Sequence, residues 1–381
     1  MTLTVLVHGS GFAGKGHAEA FRMAGCEVVG MVGRTKHVVE QVASEMNIPY
    51  AGIDWEAALN ELKPDIVSIG TPGGAHYEPI LAAIEKGCHV FCDKPMAATS
   101  AEAKRLYTMA EKAGVKTAYA ASYRYMPYVL LAKEMAENGD IGDPLETECV
   151  SHFNLNRLIP FGWSHRLDQG GGRLNNNFPH KLSIVEFVLD GQVSAVCGST
   201  RNDMPQAPVV EGVHDFRTRR EFAPKSADDP NIKWAAADAE WSYSVLAEIN
   251  IPHLERPVSA TFQHSGLQPR FQPDYIAFYG EKGSIYIEGH YGAGPLYFYD
   301  RTVDQPEWQK IELPERIASS LPNIKDDTLR NWAVLAQEFA ADIGGQKTDQ
   351  YQTFRDGSIY QEVIDIVRAN QSWTDISPSL D

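Results

Sequence analysis

A pattern of three glycines near the start of the chain constrains the fold more than any other sequence feature. Residues 3–7 form an apolar run that predicts a buried strand, Gly9-Ser-Gly11-Phe-Ala-Gly14 follows directly, and a helical pattern comes next. Gly9 permits a tight turn, Gly11 lets a pyrophosphate approach the backbone, and Gly14 lets the helix pack closely on the strand. The free N–H groups at the helix start, those of Phe12 and Ala13, would then bind the anion. The pattern predicts a dinucleotide-binding turn made of these five residues.

Strand and helix patterns alternate through the rest of the first third. Further strands are predicted at residues 27–32, 65–70, 89–92 and 115–121. This alternation predicts an α/β N-terminal domain over residues 1–124 with a doubly wound parallel (Rossmann) sheet.

Ligands bind at the carboxyl ends of the strands in such a sheet. Thr71 and Pro72 follow the third predicted strand, and Asp93-Lys94-Pro95 follow the fourth. We therefore expect these residues at the cofactor cleft. Pro95 can hold a cis peptide bond that directs Lys94.

The end of the second predicted strand bears on the choice of cofactor. An acidic residue at this point would bind the adenine ribose 2′-hydroxyl of NAD, but the sequence reads Gly33-Arg34-Thr35. The Arg34 guanidinium can pair with a 2′-phosphate, although an arginine can also stack on adenine in an NAD enzyme. We expect Arg34 and Thr35 to bind NADP or NAD, with a preference for NADP.

Composition argues against several classes of partner. The 381 residues include 34 Lys+Arg and 50 Asp+Glu, and the formal net charge of -16 argues against nucleic acid or an anionic membrane surface. No run approaches the roughly 18 apolar residues of a membrane span. The five cysteines lack metal-binding spacing, and the first residues lack the pattern of a secretory leader. We expect a reduced, cytoplasmic protein without a metal site.

Residues 125–381 predict a second domain for substrate binding and oligomerisation. Strand-like runs, several with period-two alternation, lie at residues 145–156, 193–198, 239–250, 258–264, 275–279 and 284–288. They predict an α+β C-terminal domain with a large, mostly antiparallel open sheet, one face of which is covered by helices. The segment 203–229, rich in proline, arginine and charge, is interpreted as a long surface insertion or lid without a readable function.

The stretch from Gly170 to His180 is the most informative part of the second domain. Three consecutive glycines precede three asparagines, and Pro179 comes just before a helical pattern. An asparagine cap with a proline in the first turn predicts a helix start. In a regular turn, Asn176 and His180 would project on one face.

Together these motifs resemble the Gfo/Idh/MocA family of two-domain, nicotinamide-dependent oxidoreductases, which act on sugars, cyclitols and their derivatives. The resemblance rests on the glycine pattern, on Thr71-Pro72 followed by His76, and on Asp93-Lys94-Pro95 where the family usually has Glu-Lys-Pro. It covers nearly the whole chain, sparsely between about residues 200 and 320. It implies that His76, Asp93, Lys94 and Pro95 bind the cofactor, and that the protein is a homodimer or homotetramer.

The stretch at residues 170–180 is similar to the family signature Gly-Gly-Gly-x-Leu-x-Asp-x-x-x-His, with His180 at the histidine. Asn176 replaces the aspartate, and Phe178 replaces a glycine. Asparagine can orient a substrate hydroxyl but cannot take a proton. The resemblance therefore implies three catalytic residues, with Lys94 and His180 as acid and base and Asn176 as an orienting group.

Substrate-binding candidates come from the loop before this stretch and from the end of the fifth predicted strand. Trp163 offers a flat surface for a sugar ring, and His165 and Arg166 can bind hydroxyls or an anionic group, although these side chains could equally pack a loop. The resemblance places Arg124 at the substrate, and with Arg157 and Arg166 it raises the possibility of an acidic sugar. The full set of candidates is Tyr123, Arg124, Asn156, Trp163, His165 and Arg166.

The sequence therefore predicts an NAD(P)-dependent oxidoreductase that transfers a hydride between nicotinamide and a secondary alcohol or ketone of a sugar, sugar acid or cyclitol. One alternative is an enzyme that retains NAD and uses transient sugar oxidation for elimination or glycoside cleavage without net redox. A further alternative is a non-catalytic NADP-sensing protein, against which Lys94 and His180 argue.

Overall fold

The computed structural model describes residues 2–213, 215, 217–346, 348 and 351–376, and within them strands and helices alternate through the first third of the chain. These elements are β1 (Thr4–His8), α1 (Phe12–Met23), β2 (Glu27–Val32), α2 (Lys36–Glu45), β3 (Tyr50–Gly52), α3 (Trp55–Leu62), β4 (Ile66–Ile69), α4 (Tyr77–Glu85), β5 (His89–Cys92), α5 (Ser100–Ala113) and β6 (Thr117–Tyr119). The strands form a six-stranded parallel sheet in the order β3-β2-β1-β4-β5-β6. This is the strand order of dinucleotide-binding folds, and it confirms the prediction of a doubly wound parallel sheet.

Two local features of this domain, strand β3 and the cap of α5, are not predicted from the sequence. The sequence analysis does not predict β3, because three residues are too few to show a strand pattern. The N-cap of α5 is Thr99, whose hydroxyl accepts a hydrogen bond from the N–H of Glu102 at 3.2 Å. Thr99 has the extended backbone that an N-cap requires, and Ser100 is already the first helical residue.

A second, larger sheet follows in the chain. Its elements and the surrounding ones are α6 (Pro127–Glu137), β7 (Pro144–His152), α7 (Arg173–Asn176), α8 (Phe178–Leu189), β8 (Gln192–Arg201), β9 (Gln206–Val209), β10 (Lys233–Ala236), β11 (Ser242–Asn250), β12 (Val258–Ser265), β13 (Tyr275–Gly280), β14 (Gly283–Glu288), β15 (Leu296–Asp300), β16 (Trp308–Ile311), α9 (Glu315–Ser320), α10 (Asp327–Ile343), α11 (Phe354–Arg368) and β17 (Thr374–Asp375). Nine strands pair in the order β16-β15-β14-β13-β7-β12-β11-β8-β17, and β9 pairs separately with β10. Every neighbouring pair in the nine-stranded sheet is antiparallel except β7 with β12, which confirms the predicted mostly antiparallel sheet.

The last helices of the chain return to the first sheet. Helix α10 packs on α1, and α11 packs on both α5 and β8. The Trp332 ring on α10 lies 5.3 Å from that of Phe12 and 4.8 Å from that of His17, beside the glycine turn. Both sheets are thus held around one cleft, while the boundary near residue 124 stays a prediction.

The outer face of the second sheet carries a row of aromatic side chains. The Tyr286 ring stacks on Tyr275 at 5.0 Å and lies 6.2 Å from Tyr297 and 6.3 Å from Trp308. Trp308 is 47% exposed. Among the helices in the described ranges, none combines the length and apolar character that a membrane crossing requires.

Candidate active site

One cleft contains most of the predicted site residues. Its volume is about 1290 Å³, larger than the roughly 300–1,000 Å³ of typical small-molecule pockets. Its walls come from the carboxyl ends of β1, β2, β4 and β5, from the loop before α8, and from the 203–229 segment. The cleft has room for a dinucleotide together with a second small molecule.

The glycine turn forms one wall of the cleft. Gly9 has a φ of +128°, and a Cβ at Gly9 would lie 2.6 Å from the carbonyl oxygen of Gly70. A Cβ at Gly14 would lie 1.8 Å from the carbonyl oxygen of Gly9, so only glycine allows α1 to pack this closely. At Gly11, by contrast, no described heavy atom lies within 4 Å of the Cβ position. The backbone at Gly11 therefore faces open space that a pyrophosphate can fill.

Unpartnered polar groups surround this turn. The N–H groups of Phe12 and Ala13 lie in the first turn of α1 and have no partners within the helix. The Thr71 hydroxyl at the end of β4 is buried and has no hydrogen-bond partner in the described structure, and Pro72 lines the cleft beside it. Because buried polar atoms normally have partners, these residues fit a bound dinucleotide that would supply them.

Arg34 and Thr35 line the cleft at the end of β2. Arg34 is exposed and forms no ion pair with any residue that the structure describes. Thr35 is the N-cap residue of α2, yet its hydroxyl makes no capping hydrogen bond. Both side chains are therefore available to a ligand at this end of the cleft.

Lys94 and Asp93 line the cleft at the end of β5. The Lys94–Pro95 peptide bond is cis, as the sequence analysis anticipates. No carboxylate from the described ranges lies within ion-pair distance of the Lys94 amine, which is therefore available to a ligand. Pro95 itself does not line the cleft, because its ring packs against Gly73 and Gly170.

His76 lies beneath the cleft rather than in its wall, and its predicted role in cofactor binding stays a prediction. It is fully buried, and its Nε2 donates a hydrogen bond to the carbonyl oxygen of Thr71 at 2.6 Å. Burial lowers the pKa of His76, so the ring is neutral. Its position supports the loop that carries Thr71.

His180 lines the cleft from the second domain. The rings of Tyr123 and Tyr291 pack on it at 4.6 and 5.1 Å, and its Nδ1 is buried without a hydrogen-bond partner in the described structure. Burial, and then the positive charge of Lys94, hold the pKa of His180 well below its usual value. A neutral imidazole thus lies within electrostatic reach of Lys94.

Asn176 also lines the cleft, although the turn around it is not regular. Helix α7 ends at Asn176 and α8 begins at Phe178. The Asn176 amide nitrogen donates a hydrogen bond to the carbonyl oxygen of Gly172 at 2.7 Å, which leaves its carbonyl oxygen to accept one from a ligand. The predicted asparagine cap is wrong in its bonding: Asn177 precedes α8, but its side chain bonds the hydroxyls of Tyr291 and Tyr243 instead of capping the helix.

A histidine–carboxylate pair that the sequence analysis missed also reaches the cleft. His290 lines it, and its Nδ1 lies 3.0 Å from a carboxylate oxygen of Asp274. Burial lowers the pKa of His290 and the Asp274 charge opposes that shift. Asp274 directly precedes β13 and His290 follows β14, and no sequence motif indicates a functional role at either position.

The 203–229 segment, whose function the sequence analysis leaves open, lies over the glycine turn. The Arg217 guanidinium lies 3.7 Å from the centre of the Phe12 ring and pairs with Asp326 at 3.0 Å. Asp215 pairs with Lys15 of α1 at 3.3 Å. The segment therefore covers the end of the cleft at which the dinucleotide is expected.

Three of the predicted substrate residues line the cleft: Tyr123, Trp163 and Arg166. Arg166 already forms an ion pair with Asp168, with its Nε 3.0 Å from the carboxylate. The Tyr123 hydroxyl is 2.9 Å from that of Thr328.

The other three predicted substrate residues lie outside the cleft wall. His165 is fully buried and stacks on Phe161 at 5.6 Å. Arg124 packs over the Phe187 ring at 4.9 Å and donates to the Ser183 hydroxyl at 3.2 Å. Asn156 accepts a hydrogen bond from the N–H of Leu158 within its own loop. A residue type at a loop position does not by itself fix the direction of the side chain, which tertiary packing decides here.

Comparisons with known proteins agree with this architecture. Residues 3–121 match the family model described as an oxidoreductase family with an NAD-binding Rossmann fold, and residues 129–286 match the model of the GFO/IDH/MocA C-terminal domain. The two matches cover the glycine turn, Lys94 and His180.

Several curated relatives are similar over part of their length. Levoglucosan dehydrogenase of Pseudarthrobacter phenanthrenivorans is 26% identical over 56% of this chain and 57% of that protein. D-glucoside 3-dehydrogenase of Escherichia coli is 35% identical over 36% and 39%, and inositol 2-dehydrogenase of Streptomyces avermitilis is 27% identical over 56% and 60%. The chain thus spans between two fifths and three fifths of the length of these relatives.

Solved structures match over the whole chain. An NAD-binding oxidoreductase from Klebsiella pneumoniae superimposes with a TM-score of 0.81 at 22% identity and covers 100% of both chains. Levoglucosan dehydrogenase in complex with NADH gives 0.82 at 20% identity, over 99% of this chain and 100% of that one. A super-repressor mutant of Gal80p from Saccharomyces cerevisiae gives 0.77 at 16% identity, over 99% of each. At these identities the similarity establishes the fold, and the presence of a repressor shows that the fold alone does not define an activity.

Proposed function

The chain belongs to the Gfo/Idh/MocA family of oxidoreductases, and on that basis we propose that it transfers a hydride between NAD(P) and a secondary alcohol or ketone of a sugar, sugar acid or cyclitol. One observation carries the proposal: Lys94 from the first sheet and His180 from the second domain line the same cleft as the glycine turn. A sensing protein would have no need of a lysine amine and a neutral imidazole in the same cleft.

The residues of the chain divide the work as follows. When bound, the nicotinamide ring would accept or donate the hydride. The glycine turn and the start of α1 would hold the pyrophosphate, and Thr71 would bond the cofactor through its unpartnered hydroxyl. Lys94 takes the hydroxyl proton during oxidation and returns it during reduction, and the Asn176 carbonyl oxygen orients that hydroxyl.

The histidines can complete the proton path. His180 is neutral at pH 7 because burial lowers its pKa, so it can both accept and donate a hydrogen bond. Asn176 cannot support a charged imidazole as an aspartate would. Asp274 offers that support to the neighbouring His290, which we propose as the group that carries a proton away from the cleft.

A second candidate function is favoured by the contacts of Asp215 and Arg217 over the glycine turn. A covered cofactor leaves slowly, which suits an enzyme that retains NAD and oxidises its sugar only transiently. Such an enzyme would restore the cofactor in each cycle and release no reduced nicotinamide.

One experiment separates the two functions. The purified protein is denatured and the supernatant is analysed for nicotinamide nucleotides, and the native protein is assayed by absorbance for reduced nicotinamide with neutral and acidic sugars and cyclitols. Net reduction of added NADP⁺ or NAD⁺ supports the dehydrogenase. Stoichiometric NAD in the supernatant without net reduction supports the retained-cofactor enzyme. If the supernatant contains no nicotinamide nucleotide and no sugar reduces the added cofactor, both functions are contradicted.

Arg34 is the residue that we expect to select the cofactor. Arg34→Ala should weaken NADPH binding by roughly tenfold or more and leave NADH binding nearly unchanged, because only NADPH carries the 2′-phosphate that forms a charge-assisted pair. Fluorescence titration of reduced nicotinamide measures both affinities. Lys36→Ala is the matched control, since Lys36 carries the same charge two positions away and does not line the cleft. An equal loss of both affinities in Arg34→Ala would show that Arg34 stacks on adenine instead.

We also propose that a second copy of the chain covers the aromatic row on the outer face of the second sheet. Half-exposed aromatic side chains are enriched at protein interfaces. Light scattering should then give at least twice the chain mass of 42.2 kDa. Tyr286→Asp should lower that mass, whereas Met23→Asp, at an exposed position of the first domain, should not. A wild-type mass of one chain would contradict the proposal.

The cysteines and the charge support two further proposals. All five cysteines are free thiols in the structure, which suits a reducing compartment such as the cytoplasm. The net charge of -16 disfavours nucleic acid and anionic membranes as partners. We propose that the substrate is a small carbohydrate or cyclitol.

A further inference from the structure

Arg173 occupies an unusual position in the wall of the cleft. It lies one helical turn before Asn176, and its guanidinium sits 4.9 Å from the centre of the Phe153 ring and 5.3 Å from that of Trp241. Two aromatic rings thus fix the cation in place. Burial lowers the pKa of Arg173 to about 10, a large change for a guanidinium.

No carboxylate in the part of the chain that the structure describes forms an ion pair with this cation, although the charge of Glu240 acts on it. Glu240 borders the same small void as Arg173, but its oxygens already accept hydrogen bonds from Arg368 at 2.9 and 3.1 Å and from the N–H of Leu174 at 2.9 Å. The Arg173 Nε is buried and has no hydrogen-bond partner among the described residues. A buried cation is costly unless an anion or several hydrogen bonds compensate it.

A second arginine adjoins Arg173. Arg219, from the segment over the glycine turn, is almost fully buried, lines the same cleft and donates a hydrogen bond to the Ser164 hydroxyl at 2.6 Å. Burial lowers its pKa to about 9, and the positive charge of Arg173 contributes to the shift. Both side chains border one small void, which is also lined by Ser164, Asn176, Trp241 and Glu240, the last of which is paired with Arg368. Two neighbouring cations repel each other, and an anion placed between them removes the repulsion.

Several other cations of the cleft have acidic partners, whereas Arg34 and Lys94 form no ion pair in the part of the chain that the structure describes. Arg166 pairs with Asp168, Arg217 with Asp326, and His290 with Asp274. Arg173 and Arg219 place two neighbouring positive charges in the wall of the cleft, in a protein whose net charge is -16. The negative net charge of the chain does not explain this pair of neighbouring positive charges.

We propose that Arg173, assisted by Arg219, binds an anionic group of the substrate, so that the reacting sugar carries a carboxylate or a phosphate. The proposal rests on the proposed function and specifies the substrate class of the same cleft. The clamped guanidinium offers a planar pair of donors to either oxyanion. Its place one turn from Asn176 keeps the anion close to the hydroxyl that Asn176 orients.

The test measures binding and turnover separately. The NADPH-loaded protein is titrated with D-glucuronate, D-glucose 6-phosphate and D-glucose, and tryptophan fluorescence is recorded because Trp241 and Trp163 border the site. We expect the acidic ligands to bind at least tenfold more tightly than glucose. Arg173→Met should reduce their binding by roughly 10- to 100-fold and change glucose binding little. The acid that binds more tightly shows whether the anion is a carboxylate or a phosphate.

Further variants keep the proposal falsifiable. Arg173→Lys keeps the charge but loses the planar pair of donors, so it should give an intermediate loss even if Arg173→Met does not fold. Arg157→Met is the control, because Arg157 donates to the carbonyl oxygen of Asp203 and does not line the cleft. NADPH affinity should be unchanged in all variants, and a loss of NADPH affinity in Arg173→Met would instead assign the arginine to the cofactor.

The outcomes distinguish this proposal from the proposed function. Equal affinity for acidic and neutral ligands, or equal losses on both in Arg173→Met, would overturn the anion site while net sugar oxidation still supports the oxidoreductase. Acid-selective binding that depends on Arg173, without reduction of either cofactor by any sugar, would support the anion site and overturn the dehydrogenase.

Discussion

Replacing Lys94 by methionine is expected to reduce turnover on whichever sugar proves to be the substrate by about 10²–10⁴-fold, the usual contribution of a general acid or base. The Lys94 amine lines the cleft at the carboxyl end of β5, and its charge is felt by His180 across the site. Methionine keeps an unbranched apolar side chain but cannot move a proton. Affinity for NADPH should therefore stay within a few-fold of wild type, as measured by fluorescence titration beside the steady-state rate.

Two companion variants sharpen this result. Lys94→Arg keeps the positive charge but cannot release a proton, so it should be nearly as inactive as Lys94→Met. Lys86→Met, at an exposed lysine that caps α4, should be fully active. If Lys94→Met turned over within about threefold of wild type, another group would carry the proton and the proposed mechanism would be wrong.

Alanine at Gly14 is expected to disrupt the first domain. The added Cβ would lie 1.8 Å from the carbonyl oxygen and 2.6 Å from the carbonyl carbon of Gly9, and both are backbone atoms that no rotamer change can move aside. The loss of folding free energy should be about 3 kcal/mol or more, because α1 must move away from the glycine turn. Thermal unfolding should show a melting temperature lower by roughly 6–12 °C.

Alanine at Gly11 gives the matched comparison. Its φ of -84° suits alanine, and no described atom lies near its Cβ position, so the variant should melt within a few degrees of wild type. The methyl group would nevertheless occupy the space through which the pyrophosphate approaches, and cofactor affinity should fall by roughly 10²-fold. A Gly14→Ala variant as stable as wild type, or a Gly11→Ala variant with normal cofactor affinity, would refute the assigned roles.

Much of the first domain could be predicted because its information is local. The glycine turn follows a buried strand. Each of the next three predicted strands is followed within two residues by a Gly, Pro or charged residue. Since the ends of parallel strands meet at one edge, Arg34, Thr71 and Lys94 could be assigned to one cleft without knowing any distance. Strand β3 was not predicted, because three residues are too few to show the alternation of apolar and polar side chains that indicates a strand.

The site residues from the second domain were harder to predict. Asn176 and His180 lie in one recognisable stretch, and both reach the cleft. Asp274 and His290 lie far from that stretch and meet only because β13 and β14 pair in the sheet. No local signal could have placed them at the cleft.

The positions of the arginine side chains were also hard to predict from the sequence. Arg124 and Arg166 were assigned to substrate by position, yet one packs on Phe187 and the other pairs with Asp168. Arg173 lay unremarked inside the glycine-rich stretch, and Arg219 lay in a segment without a readable function. Which guanidinium reaches the cleft depends on the folded arrangement of the chain, which no sequence pattern reports.

The measurement that tests the central claim most directly is deuterium transfer from the cofactor to a sugar. The protein is incubated with NADPH or NADH labelled with deuterium at nicotinamide C4 and with the ketone forms of neutral and acidic sugars, and the products are weighed by mass spectrometry. The account predicts one deuterium at the new carbinol carbon of at least one sugar, and loss of that label in Lys94→Met. Tight binding of the labelled cofactor with no deuterium in any sugar would contradict hydride transfer and leave a protein that only binds the nucleotide.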